Sequence, residues 1–302
     1  MDGGGAYMPV PTVITRQPCL FVDVQHGLSN RLRAMASAAG IAARTGRQLV
    51  VVWRPDHHCQ ARIGDLLSYD WPVAEDEPSA QAFRAGAAEI YNYMEIEEGA
   101  AFQAPILPEG ADHPGRDIYV RSAYVLNSRY RDPAFERRFL RALRPVPQVL
   151  DLVNRVPRPS AVAAHIRMAT GAAYDHLSFE GPQNWPAERH AELTEWRSKS
   201  HVSRFIERLD TLVAAGQADT IFVAADLPET YEALTDRYGA QLRYLRRDLY
   251  DRSPRQVQYA LADLLLLTAA PRYLASTWSA FSDLARLLGR SGRNIEQSGR
   301  DF

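Results

Sequence analysis

Residues 19–53 read CLFVDVQHGLSNRLRAMASAAGIAARTGRQLVVVW. Cys19–Val24 is a β-rich apolar run and Gln25–Asn30 (QHGLSN) is a turn. Arg31–Thr45 has helical periodicity, with Leu32, Met35, Ala36, Ala39 and Ala43 on one face. Gly46 stops that helix, and Arg44 and Arg47 sit near the negative end of its dipole. Gln48–Trp53 (QLVVVW) is a second buried strand. Strand, helix and strand in this order predict a βαβ unit, and with it a parallel sheet and a right-handed crossover.

The same alternation returns after a gap. HCQARIGDLLS suggests a short helix near 60–68, and residues 73–115 are rich in Pro, Gly and Glu with one strand candidate at Ala88–Tyr93. Asp117–Val120 reads as a strand, and Phe135–Leu143 and Pro147–Val156 as helices. PRPS at 157–160 is the best linker in the chain. After it come strands at Ala161–Ile166, Thr220–Ala224, Leu242–Leu245 and Arg272–Ser276. Helices are expected at His201–Ala215, Pro228–Tyr238, Gln256–Ala269 and Ser279–Leu288, and the polar tail after Gly289 is expected to be partly disordered. No internal repeat or low-complexity segment occurs. The fold class is therefore α/β, with two Rossmann-like domains facing a cleft. The domains are 12–156, on the acceptor side, and 157–302, on the donor side. Ligands of such sheets sit outside the carboxyl ends of the strands.

Composition narrows the function. The chain has 302 residues, 46% hydrophobic and 24% charged, which suits a globular enzyme of two domains. A net charge of −1 supplies no broad basic field for nucleic acid or an anionic membrane. Lys199 is the only lysine, and the other 34 cationic side chains are arginine, as in a bacterial genome of high GC content. Arginine number is thus uninformative, although arginine position is not. Two cysteines, Cys19 and Cys59, lie 40 residues apart without metal-ligand spacing, which fits a reduced cytoplasmic protein. Met1–Pro11 lacks the basic and apolar regions of a signal peptide. LADLLLLTAA (261–270) is short and carries Asp263, so no membrane span is predicted.

Four stretches carry candidate chemistry. HGLSNRLRA (26–34) is a strand-to-helix turn in which Gly27 permits close backbone approach. The helix N-terminus there attracts an anion or a sugar hydroxyl, and Ser29 or Asn30 alternatively serves as a plain N-cap. HIR (165–167) ends a buried strand on Arg167, with His165 on the same side of the extended chain. A guanidinium there clamps a phosphate through parallel hydrogen bonds, or pairs with a structural carboxylate. In FVAADLPE (222–229), Asp226 binds a ribose or sugar hydroxyl or caps the next helix. STWSAFSDLA (276–285) opens a helix with hydroxyls and unpaired N–H groups, which make an anion seat or a simple cap. Asp263, within a leucine-rich helix, needs a partner such as an arginine or a guanine edge. GxGxxG, GxxxxGK[ST], GxSxG, HExxH and a strand-end DxD are all missing.

Taken together, GLSNRLRAMASAAGIAARTGRQLVVVW, HIR, FVAAD and ADLLLLTAAPRYLASTWSAFSDLA resemble the fucosyltransferase superfamily of NodZ-like α-1,6-fucosyltransferases and protein O-fucosyltransferases. The resemblance covers residues 20–67 and 161–288. It implies the two-domain GT-B arrangement and inverting transfer of fucose from GDP-fucose, with no metal and no further cofactor. It places Arg167 on the β-phosphate, His165 beside the guanine and Asp263 on the base side. Ser279 and Ser282 fall in the phosphate-contacting turn, and Gly27, Asn30 and Arg31 in the loop facing the donor. Where the family often has HxRRxD, this chain has Met168 and Thr170 in place of the second arginine and the aspartate, and Ser29 replaces a loop glycine. The catalytic base is then sought in GAAYDHLSFEGPQNWP, at Asp175, His176 or Glu180. Tyr174, Trp185 and Trp196 are candidates for an aromatic platform under an acceptor saccharide or small molecule. The alternatives are another donor such as GDP-mannose, a nucleotide- or sugar-binding module without catalysis, and an NAD oxidoreductase with a degenerate glycine loop.

Overall fold

The computed structural model describes residues 17–95, 97–110, 115–169 and 187–302. All six residues of β1 (Cys19–Val24) are buried, so the strand needs neighbours on both edges and cover on both faces. Helix α1 (Leu28–Arg44) leads from it to β2 (Gln48–Val52), parallel to β1, with Asp23 opposite Val52. The unit predicted from residues 19–53 is therefore present.

Residues 54–115 are more ordered than the sequence suggests. The short helix expected at 60–68 is one 3-10 turn at Ile63–Asp65 followed by the two-residue strand β3 (Leu67–Ser68). Next come β4 (Val73–Ala74) and the unpredicted helix α2 (Glu77–Gly86). Pro78 lies in the first turn of α2, where it displaces no helical hydrogen bond, and Asp76 caps the helix by accepting from Ser79 N at 2.8 Å. β5 (Glu89–Asn92), β6 (Ile118–Ser122), α3 (Pro133–Ala142), β7 (Arg144–Pro145) and α4 (Pro147–Asn154) follow. The first sheet is parallel in the order β4-β2-β1-β6-β5, and β3 and β7 form a small antiparallel pair.

After residues 157–160 the pattern repeats. β8 (Val162–Ile166) is buried throughout. It is followed by α5 (Ala187–Lys199), α6 (Val202–Ala214), β9 (Ile221–Ala225), α7 (Pro228–Tyr238), β10 (Leu242–Arg243) and α8 (Pro254–Ala269). β11 (Arg272–Ala275), α9 (Ala280–Leu288) and β12 (Asn294–Gln297) end the chain. The second sheet is parallel in the order β10-β9-β8-β11-β12. β12 corrects the expectation of a disordered tail, because Asn294–Gln297 pair in register with Arg272–Ala275.

Each sheet reverses its winding around its first strand, β1 in one and β8 in the other. That reversal opens a crevice at the carboxyl end of each strand. The halves share a hydrophobic core, in which Met35 of α1 belongs with Leu264 of α8 and Leu284 of α9. Polar contacts add to it: Gln60 N donates to Arg252 O at 3.0 Å, and Arg33 reaches Asp283 at 3.6 Å. No described helix is long and apolar enough to cross a membrane.

Candidate functional site

A cleft of about 610 Å³ lies where residues following β1 approach those following β8 and β11. On the first half its wall is the start of α1. Gly27 is the N-cap residue, at φ −72, and no atom of the described residues lies within 4 Å of where a Cβ would stand. The backbone there does not require glycine; the missing side chain leaves the helix end open to the cleft. Neither Ser29 nor Asn30 caps the helix, since both lie inside its first turn. Asn30 lines the cleft, and its side chain makes no hydrogen bond among the described residues. Its amide therefore has both donor and acceptor capacity for a ligand.

Arg31, expected at the donor, lies beneath the loop instead. It is fully buried, Nε donates to His26 O and Nη1 to Arg54 O at 2.7 Å each, and Nη2 meets Asp56 at 2.8 Å. With its guanidinium also over Trp53, it braces the turn. The arginine that reaches the cleft is Arg33, two residues on.

On the second half, the carboxyl end of β8 supplies His165 and Arg167. His165 Nδ1 meets Ser282 Oγ at 2.7 Å and its ring lies 4.7 Å from that of Phe281. Burial pushes this imidazole down to about 3, so it is neutral and acts as a hydrogen-bonding group. Ser276 ties β8 to β11, its Oγ donating to His165 O and accepting from Arg167 N, each at 2.9 Å. Arg167 pairs with Asp226, whose carboxylate also accepts from Met168 N at 3.1 Å and Ala169 N at 2.9 Å. Burial opposes ionisation of Asp226, but Arg167 and the two N–H groups outweigh it and hold the carboxyl below its usual range. Asp226 does not cap α7, whose N-cap is Leu227. The carboxylate partner that the sequence left open for Arg167 is Asp226 itself, and the pair sits on the cleft wall.

The serine-rich turn divides its work. Ser279 lines the cleft and caps α9, accepting from Ser282 N at 3.4 Å. Ser282 is 1% exposed and does not line the cleft; its hydroxyl positions His165. Trp278, before the cap, has φ +53, and His26, before Gly27, has φ +61. Left-handed backbone is costly outside glycine, and here it occurs at the foot of both helix N-termini facing the cleft. Asp263 Oδ2 meets Arg247 at 2.5 Å, while its buried Oδ1 has no hydrogen-bond partner among the described residues. Burial, only partly offset by Arg247, pushes this carboxyl up to about 6.

A second cleft of about 520 Å³ adjoins the first at the carboxyl ends of β1, β2 and β6. Asp23 is its buried anchor, accepting from Gln25 at 2.6 Å, Arg54 at 2.9 Å, Tyr119 at 2.9 Å and Arg121 at 3.1 Å. His26, His58, Glu95 and Tyr124 line both clefts. Glu95 is the one carboxylate among them, and it pairs with Arg189 at 2.9 Å.

Of the expected donor-site residues, Gly27, Asn30, His165, Arg167, Asp226, Asp263 and Ser279 line one cleft. Asp175, His176, Glu180, Tyr174 and Trp185 lie outside the described residues. Trp196 packs against the cationic groups of Lys199 and Arg300 and does not line the cleft. Sequence reading missed Arg189, Leu193 and Arg197, which line the cleft from one face of α5. Their spacing of four was the available signal. Among the described residues no group of three or more His, Cys, Asp or Glu is placed to hold a metal.

No family model and no curated protein matches the chain. Solved structures do match. The chain is similar to NodZ α-1,6-fucosyltransferase soaked with GDP-fucose, at 14% identity and TM-score 0.59, over 91% of this chain and 93% of that one. Similarity to the fucosyltransferase NodZ from Bradyrhizobium is at 15% identity and TM-score 0.54, covering 91% and 94%. POFUT1 in complex with GDP matches at 14% identity and TM-score 0.54, covering 94% and 99%. The chain thus has the two-sheet GT-B fold of these structures.

Proposed function

We propose that this chain is a glycosyltransferase that moves a sugar, fucose as first choice, from a GDP-sugar to an acceptor hydroxyl, with inversion and without a metal ion. The observation that carries the reading is the set of groups brought to one cleft. Asp263 lines it with a buried Oδ1 that has no hydrogen-bond partner among the described residues, which suits the N–H donors of a guanine edge. Arg167, Ser279 and the N-terminus of α9 line it too, and suit a diphosphate. The fold adds support, since one of the similar structures was soaked with GDP-fucose and another is in complex with GDP.

In this reading 157–302 binds the donor and 12–156 shapes the acceptor site around the second cleft. The bond between the anomeric carbon and the diphosphate oxygen breaks, and the charge left on GDP is stabilised by Arg167 and the α9 N-terminus. The acceptor oxygen bonds to the anomeric carbon from the opposite face, and its proton passes to a carboxylate. Asp175 and Glu180 are candidates for that base, and Glu95 joins them because it lines both clefts. His165, held neutral, orients the donor and adds no charge. The two free, buried cysteines support a reducing bacterial cytoplasm as its compartment.

The test is turnover. The protein, in chelator, is incubated with GDP-fucose, GDP-mannose or UDP-glucose, and release of the nucleoside diphosphate is followed by proton NMR. The reading expects slow hydrolysis of GDP-fucose, faster release with a saccharide acceptor, and a product of inverted anomeric configuration. GDP binding with no release under any condition would make the protein a binding module. Preference for GDP-mannose would change the sugar and keep the reaction class.

A further inference from the structure

Arg197 differs from three other arginines, each of which meets a carboxylate. Arg31 has Asp56 at 2.8 Å, Arg247 has Asp263 at 2.5 Å, and Arg167 has Asp226. Arg197 is 8% exposed and has no carboxylate within 4.0 Å among the described residues. Among the described residues its Nη1 reaches only the carbonyl of Trp278, at 3.4 Å, and its buried Nε has no acceptor. The carboxylate whose charge acts on it, Asp226, is already committed to Arg167 and two backbone N–H groups. A desolvated cation beside a second cation is costly unless an anion joins them. Burial first, and Arg167 second, push its guanidinium down to about 9.

The helix offers no packing reason for the charge. Leu193, one turn earlier on the same face, is equally buried, and a second apolar residue would serve α5 as well. What the arginine adds is a position on the cleft wall beside Arg167, Trp278 and Ser279. We infer that Arg197 is a second diphosphate-binding guanidinium, acting with Arg167 and the α9 N-terminus on the two phosphates of a nucleoside diphosphate or its sugar ester. This rests on the donor-site reading above and names what holds the leaving group.

The test is calorimetric titration of wild type, R197M and R197K with GDP, guanosine and inorganic pyrophosphate. R197M should bind GDP about 10- to 100-fold more weakly, the loss of a charged hydrogen-bonding partner. Pyrophosphate binding should fall as much, guanosine binding should stay as in wild type, and R197K should recover part of the loss. The ligand-free R197M protein should melt no lower than wild type, since an unpaired charge has been removed. Equal GDP affinity in wild type and R197M overturns the inference, as does an equal loss for guanosine, which marks a structural role. If wild type binds pyrophosphate but not GDP, the guanine reading fails while loss of pyrophosphate in R197M still upholds the anion site. If wild type binds neither, both fail.

Discussion

Arg247 Nη2 lies 2.5 Å from Asp263 Oδ2, with the two side chains 2% and 5% exposed. Only one oxygen of the carboxylate is thereby used; the other has no hydrogen-bond partner among the described residues, and Asp263 lines the cleft. Burial raises this carboxyl to about 6 despite the arginine. A guanine edge donates hydrogen bonds and so favours the ionised form. Protonation then competes with binding, and the Kd for GDP-fucose should rise below about pH 6, approaching tenfold per unit. GDP-fucose suits the experiment because it has no terminal phosphate titrating in that range. D263N should bind weakly and with a flat profile between pH 5 and 8; a pH-dependent D263N would assign the titration elsewhere.

Asp226 organises the loop after β8 through Arg167, Met168 N and Ala169 N. Its replacement by alanine leaves a half-buried guanidinium and two N–H groups unpaired, so D226A should lose about 3 kcal/mol in urea denaturation. Because the folded carboxyl is held below its usual value, its stabilisation is complete above the ordinary carboxylate range. It should be lost as pH falls through the lowered value, and D226N should lack that acid-side loss. An unaltered unfolding midpoint in D226A would show that the pair contributes nothing to the fold.

Neighbours on α1 should separate stability from activity. Arg31 spends its guanidinium on His26 O, Arg54 O and Asp56, so R31M should cost about 3 kcal/mol of stability. The Asn30 side chain has no hydrogen bond among the described residues and lines the cleft. N30A should unfold within about 0.5 kcal/mol of wild type while slowing transfer. The reverse pattern, an unstable N30A and an unaffected R31M, would mean that the two side chains have been assigned the wrong way round.

Glu95 gives a prediction about the base. E95Q removes its basicity while keeping its shape. If Glu95 takes the acceptor proton, kcat should fall about 100-fold or more with donor Kd unchanged. A fall in donor affinity with kcat retained would mean that Glu95 only anchors Arg189 across the junction.

Much of this was legible in the sequence, and the reasons differ by element. Cys19–Trp53 was plain because β1 is buried along its whole length and α1 has a continuous apolar stripe. The clustering of Asn30, His165, Arg167, Asp226, Asp263 and Ser279 followed from their places at strand ends and helix starts. α2 was hidden by Pro78 and by having only Ala80 buried, which leaves periodicity little to register. α5 was hidden likewise, with Leu193 and Arg197 its only buried residues. The place of Arg31 could not be read locally, because Asp56 and the carbonyl of Arg54 come from the loop beyond β2. β12 depends on pairing with β11 and has no apolar run of its own.

The most direct test of the central claim, that this cleft takes a guanine nucleotide, is calorimetric titration of the wild-type chain with GDP, UDP and ADP in chelator. The account predicts GDP binding at about micromolar Kd, with UDP and ADP at least about tenfold weaker because neither presents the N–H pair that Asp263 would accept. Equal affinity for the three nucleotides, or binding of none, would contradict it.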